Sequence, residues 1–338
     1  MLEQTFVNLE GYFESRGCDN AGWNEVVFFG LQYFIKRYLL GPVVTKDKID
    51  EAAEIYSQHF GDGDPRFYRE GWEYILKEHG GRLPVEIKAV PEGMVVPTKT
   101  VLFTLVNTDP KCFWLTNFLE TLLVQVWYPM TVATQSRYQK TSIAKYMEET
   151  GNEQWDVPNG VTFKLHDFGF RGVSSVESAA IGGCAHLVNF LGTDTVASMI
   201  CARDYYGSKK ADTDHTGWVS DSFDIWRACK DYWGDKLKDL IKGRITDTKF
   251  GRLVVRPDSG DPAETCCYHQ LCYLYPCDDR LTLGDGVDWE SIPKILEKLK
   301  KEKIAADAWP GPAALQGNVK DNLNGAPNYL YIGYIYIY

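Results

Sequence analysis

KLHDFGFRGVSS, residues 164–175, hands a strand pattern over to a helix pattern within twelve positions. The strand TFKLHDF ends at Phe168, Gly169 lets the backbone turn, and Ser174 or Ser175 can cap the following helix, SVESAAIGGCAHLVNF. Phe168 and Arg171 are then displayed at a strand tip. An aromatic face opposite a guanidinium suits a flat heteroaromatic ring, because both stack and the arginine adds donors. The plainer alternative keeps Phe168 in the core and pairs Arg171 with Asp167.

The same order of strand, polar tip and helix or turn recurs downstream in WVSDSFD, RLVVRPDSGDP and LTLGDGVD. Such repetition predicts a β/α barrel or an open α/β sheet, in which ligands sit at the carboxyl ends of the strands. Arg256 can fork onto a phosphate or a ring carboxamide, and Asp258 can accept from ribose hydroxyls. Gly284 and Asp285 lie in a turn ahead of a helix, and Asp221 marks a further strand end. Read alone, GDG is a tight turn and Asp221 or Ser222 a helix cap. Together, three acidic tips beside two arginines describe a pocket for a phosphorylated sugar and a planar base, with Mg²⁺ held through water.

The first half has a different grammar. Residues 24–40 place Val27, Leu31, Phe34 and Tyr38 at helical spacing, with Gly41-Pro42 as the stop. Thr45 caps a second helix whose stripe is Ile49, Ala52, Ala53, Tyr56 and Phe60. From Val85, short runs broken by Pro91, Gly93 and Pro97 predict a small antiparallel sheet. Helices are expected over 113–127, ending before Pro129, and over 131–149. The linker candidate is TGNEQWDVPNG, 150–160, giving a mixed α+β domain over 1–160, a barrel-like domain over 161–324 and an irregular tail over 325–338. That tail, NYLYIGYIYIY, alternates tyrosine and isoleucine like an edge strand prone to self-association, or like the product of an aberrant reading frame.

Composition bounds the function. A chain of 338 residues, 44% hydrophobic, can bury a sizeable core. A net charge of −10 without a long basic run argues against nucleic acid, and KILEKLKKEK, 294–303, reads as a solvated helix face. No apolar run spans a membrane and the N-terminus lacks a signal-peptide pattern, so a cytoplasmic protein is expected. Nine cysteines, an odd count, predict reduced thiols; CCYHQLCYLYPC, 266–277, lacks the paired knuckles of a zinc ribbon, and no resident metal site is expected.

LPVEIKAVPEG, NTDP, WLTNFLETLLVQVWYPMTVAT, KLHDFGFRGVSS, HLVNFLGTDTVA, SDSFDI, RPDSGDP and GDGVD occur in this order. In order and character they resemble the nicotinamide phosphoribosyltransferase family, from about Tyr12 to Asp288. The resemblance implies a type II phosphoribosyltransferase, an irregular α/β barrel beside a mixed α+β domain, working as a homodimer. It implies the joining of nicotinamide to phosphoribosyl diphosphate, with Mg²⁺ on the diphosphate and ATP as a candidate stimulator. It assigns Phe168 to stack the nicotinamide ring, with Arg171 beside it, Asp194 to accept from the carboxamide and Arg256 to approach ring and ribose. Asp221, Asp258 and Asp285, with Gly284, are assigned to sugar and phosphates, and Arg16 to phosphate in the partner subunit's site.

The sequence departs from the family pattern at four places. A DSYK-type segment whose tyrosine stacks on the ring has no counterpart. The insert carrying the family's catalytic histidine is reduced to SKKADTDHTG, where His215 is the candidate replacement. The glycine-rich phosphate loop reads AADAWPGPAA, in which proline removes an amide donor and Trp309 adds bulk, so weaker diphosphate binding is expected. The last part of the barrel has no counterpart after about Asn324. Three readings follow: an active enzyme, a catalytically impaired paralogue or isoform that only binds or dimerises, and a nicotinate enzyme, which Asp194 opposes.

Overall fold

The computed structural model describes residues 10–17, 23–150, 161–208, 254–255, 280–283, 289–301 and 331–333. It divides into two units, residues 1–134 and 135–338, a division ahead of the sequence boundary at 160. The linker candidate and the 266–277 cysteines lie outside the described residues. The described cysteines, Cys112, Cys184 and Cys201, are buried free thiols.

In the first unit, strands β1 (Glu10–Glu14), β5 (Val101–Asn107) and β3 (Val85–Ala89) form an antiparallel sheet in the order β1-β5-β3. A second pair, β2 (Glu25–Val27) and β4 (Val95–Pro97), is also antiparallel, with Val26 opposite Val96. The helix expected over 24–40 therefore starts late. Val26 and Val27 are taken by strand pairing, and α1 (Leu31–Phe34) begins only after Gly30, which sits at φ 112°. Glu92 accepts from the N–H groups of Gly30 and Gln32, capping the positive end of α1 from a distant loop.

Gly30 has a packing role besides its backbone one. A Cβ there would lie 2.3 Å from Pro129 Cγ. Gly30→Ala should therefore cost roughly 2 kcal/mol, from overpacking and the left-handed backbone together. Urea denaturation is the check, and an unchanged midpoint would contradict it.

Helix α2 (Lys46–Phe60) forms as its pattern predicts, and the Thr45 hydroxyl accepts from the Lys48 N–H at 3.4 Å. With α3 (Arg69–Glu78) it covers a core of Val44, Ile49, Ile75, Cys112 and Leu115, flanked by Trp72 and Trp114. Next come α4 (Trp114–Leu123), a 3₁₀ turn and α5 (Trp127–Thr150). Pro129 thus sits in the first turn of α5, where its missing N–H has no intrahelical partner to lose, instead of ending a helix.

In the second unit, β6 (Leu165–His166), β7 (Val254–Val255), β8 (Arg280–Leu283) and β9 (Tyr331–Gly333) form a parallel sheet in the order β6-β9-β8-β7. The alternating tail expected as an edge strand supplies β9, between β6 and β8. Parallel pairing satisfies its backbone groups on both sides. Helices α6 (Val176–His186), capped by Ser175, and α7 (Val196–Tyr206) pack together beside this sheet. Helix α8 (Ser291–Lys301) buries Ile292, Ile295 and Leu296 and reaches α5 through Tyr146–Glu297 and Lys300–Glu149 bonds of 3.1 and 2.9 Å. Among the described residues, no helix is long and apolar enough to cross a membrane.

Candidate active site

The rim of interest begins where β6 runs out. Asp167 makes a parallel bridge to Thr193, and its carbonyl accepts from the Asp194 N–H at 3.0 Å. The segment after α6 therefore returns to lie against the end of β6. Asp194 is held beside the tip that displays Phe168. The Asp167 carboxylate folds over its own strand end and accepts from the Gly169 N–H at 2.7 Å, an Asx turn that starts the 3₁₀ segment Gly169–Gly172. Phe168 enters that segment half-buried at φ −115° and ψ 16°, and its ring is stacked with His166 at 6.2 Å between centroids. Arg171 follows on the same turn and is exposed.

Two glycines make this close fit possible. A Cβ on Gly183 of α6 would fall 2.4 Å from Asp167 Oδ2 and 2.6 Å from Ser198 Cβ. One on Gly192 would fall 2.4 Å from His166 Nε2. Beneath the rim, Thr193 and Ser198 are buried, their hydroxyls 3.2 Å apart, and the Ser198 hydroxyl donates to the Thr195 carbonyl.

Charge shapes the rim. Burial, seconded by the charge of Asp167, pushes the Asp194 carboxyl up to about 6. Solvent reaches the Asp194 residue as a whole, although its carboxyl end is sheltered by protein.

His186, fully buried on α6, is different. Its Nε2 faces the Leu165 carbonyl at 3.2 Å and its Nδ1 the Ser136 hydroxyl at 3.1 Å. A neutral ring with the proton on Nε2 satisfies both. Burial lowers its pKa, against the opposing pull of Asp167. A histidine pKa lowered by folding contributes stability above the unfolded value of about 6.5, and that stability is lost as pH falls. Below about pH 6.5 the chain should lose up to ~1.4 kcal/mol per pH unit from this group. Melting curves of the unmutated chain and His186→Gln between pH 5 and 8 check this; identical slopes would contradict it.

His79, Asp109 and Cys112 in the first unit also bring ligand atoms within 4.8 Å of one another. Their chemistry is that of a completed network. Asp109 is hydrogen-bonded to His79 at 2.8 Å and accepts from the Tyr74 hydroxyl and the Lys111 N–H, both at 2.9 Å. Burial, with Asp109's charge, pushes the Cys112 thiol up to about 11, which disfavours the thiolate a metal requires.

Of the residues expected at the site, Arg16, Phe168, Arg171 and Asp194 are described, and the structure gathers the last three where the Asp194 loop bridges the end of β6. Arg16 is exposed after β1, in the other unit. Asp221, His215, Arg256, Asp258, Gly284 and Asp285 lie outside the described residues. The strands before two of them are defined: β7 ends one residue ahead of Arg256 and β8 one ahead of Gly284, both parallel to β6. Sequence reading treated Asp167 only as a partner for Arg171 and passed over Gly183, Gly192 and Ser198. The spacing of Asp167 and Gly169, an acceptor two residues before a glycine N–H, was the available signal.

Comparison with known proteins fits this frame. Residues 4–87 match the nicotinamide phosphoribosyltransferase N-terminal domain family, and residues 163–324 the nicotinate phosphoribosyltransferase (NAPRTase) family. A nicotinamide phosphoribosyltransferase of Xanthomonas campestris pv. campestris is 40% identical over 344 aligned residues, covering 88% of this chain and 70% of that protein. One from Acinetobacter baylyi is 30% identical over 282, covering 72% of this chain and 55% of that protein. The crystal structure of human nicotinic acid phosphoribosyltransferase superposes with a TM-score of 0.50 at 15% identity, covering 88% of this chain and 67% of that one. That likeness establishes the type II phosphoribosyltransferase fold. Sequence identity carries the closer assignment: the chain belongs to the nicotinamide phosphoribosyltransferase family, the pentosyltransferases of NAD salvage.

Proposed function

We propose that this chain binds nicotinamide at the Phe168–Asp194 rim and joins it to phosphoribosyl diphosphate, giving nicotinamide mononucleotide and pyrophosphate. The observation that carries the reading is the 3.0 Å bond from the Asp194 N–H to the Asp167 carbonyl, which sets a carboxylate-bearing loop against the strand tip that displays Phe168. Phe168 offers a ring face for stacking and Arg171 a planar donor beside it. Asp194, ionised above about pH 6, accepts from the carboxamide NH₂ and repels the carboxylate of nicotinate.

The neutral ring nitrogen attacks the anomeric carbon as the bond from that carbon to the diphosphate oxygen breaks. Positive charge passes from the sugar to the pyridinium, and pyrophosphate leaves with the bonding pair. Carboxylates facing the sugar stabilise this charge in transit. We assign that role to Asp221 and Asp258, with His215 in the place of the family histidine. Arg256 is assigned to ring and ribose, and Gly284, Asp285 and Arg16 to the phosphates. Mg²⁺ arrives with the diphosphate, and a set of aspartates suits a hard cation.

We further propose a cytoplasmic homodimer that uses neither nucleic acid nor a membrane. Exposed Phe118, Val124 and Trp127 on α4, the 3₁₀ turn after it and the start of α5 support self-association, as apolar surface seeks a partner. ATP as a stimulator rests on the family resemblance alone.

The test is purified protein with Mg²⁺, nicotinamide and phosphoribosyl diphosphate, assayed for mononucleotide against Asp285→Ala. Turnover well above that variant supports the enzyme. Nicotinamide binding without product selects the binding-only reading, to which the AADAWPGPAA sequence points.

A further inference from the structure

Asp167 bonds both halves of the proposed nicotinamide slot, one through its carboxylate and the other through its backbone carbonyl, and the burial of its side chain is costly. A carboxylate at 2% exposure must be compensated. Its Oδ1 accepts from the Gly169 N–H at 2.7 Å, fixing the turn behind Phe168, while its carbonyl accepts from the Asp194 N–H at 3.0 Å and the Thr195 hydroxyl at 3.5 Å. Its Oδ2 is seated against the bare Cα of Gly183, which excludes any larger residue there. A neutral side chain could hold the turn as well, so the charge calls for its own explanation.

We propose that Asp167 is a positioning and selectivity residue: its buried carboxylate holds the Phe168 turn, which its backbone carbonyl ties to the Asp194 loop, and supplies a second negative charge against pyridines bearing an anionic substituent. The inference rests on the reading of the site given above and deepens it. Of the two aspartates, Asp194 meets the substrate; Asp167 sets its position and adds a charge from behind it. Among the described residues, the titratable groups near Asp167 include His166 from β6 and Lys164 just before it, Arg171 from the following turn, Asp194 from the returning loop and His186 from α6, with Lys140 of α5 acting on His186 in turn. His186 is held neutral by burial. It therefore adds no positive charge opposite the Asp167 carboxylate.

Nicotinamide and nicotinate binding, measured by calorimetry from pH 5 to 8, tests this with Asp167→Asn and Asp167→Ser. Both keep an acceptor for the Gly169 N–H and remove the charge. In the unmutated chain nicotinamide affinity should fall as pH drops through about 6, as Asp194 gains its proton. Either variant should move that midpoint to lower pH and lower the preference for nicotinamide over nicotinate at pH 7.5 by roughly five- to tenfold, with melting little changed. In an Asp194→Asn background the pH midpoint should be absent, while the same substitutions should still lower whatever preference remains. An unmoved midpoint and an unchanged preference in a folded variant would overturn the role, as would loss of the fold in both variants, which marks Asp167 as structural only. If the unmutated chain binds neither pyridine, the site reading itself fails and Asp167 falls with it; if it binds nicotinamide and the variants match it, Asp167 alone is refuted.

Discussion

Asp194→Ala is expected to weaken nicotinamide binding by about 10- to 100-fold, the equivalent of ~1.5–3 kcal/mol for a hydrogen bond to a charged group. The carboxamide NH₂ would lose its charged acceptor. Nicotinate should bind no worse than before, and better at neutral pH, because the repelling charge has gone. The pH profile gives an independent check. Asp194 carries a carboxyl pushed up to about 6, so the acceptor form is complete at pH 7.5 and half lost near pH 6. Nicotinamide affinity therefore falls on the acid side in the unmutated chain and stays flat across that range in Asp194→Ala. A profile that still bends near pH 6 in the variant would assign the titration to another group.

Gly183→Ala should disable the rim by crowding alone. The added methyl would sit 2.4 Å from Asp167 Oδ2 and 2.6 Å from Ser198 Cβ. Neither contact is the loose end of a flexible chain: Asp167 is buried on a bridge to Thr193, and Ser198 lies on α7. Either α6 moves away from α7, or the carboxylate leaves the Gly169 N–H. The first should cost about 3 kcal/mol, at the upper end of overpacking penalties; the second releases the Phe168 turn. Denaturation and nicotinamide calorimetry together distinguish the routes. A variant with wild-type stability and affinity would show that the two helices are not tightly locked.

Residues whose neighbours are close in sequence are legible from the sequence itself. Thr45 caps α2 and Ser175 caps α6, as hydroxyl-bearing residues ahead of apolar helical stripes should. Strands 85–107 follow their short apolar runs. Two of the three misreadings involve a distant partner. Val27, Leu31, Phe34 and Tyr38 share a helical period, yet β4 claims Val27 for a sheet. Pro129 stops a helix in isolation, but a helix beginning at Trp127 accommodates it. The tyrosine–isoleucine tail looks like an edge until β6 and β8 close on either side.

The candidate site divides in the same way. Phe168, Arg171 and the glycine between them lie in one short turn, so residue types and spacing alone announced an aromatic and a cation at a strand end. The pairing of Asp167 with Asp194, and the need for glycine at 183, came only from the tertiary structure. They depend on a loop returning after a whole helix and on two helices meeting above a strand, and no short window of sequence encodes that distance. Local hydrogen bonding and side-chain chemistry determined what could be displayed; long-range packing decided which charges face each other, and hence which pyridine the rim should accept.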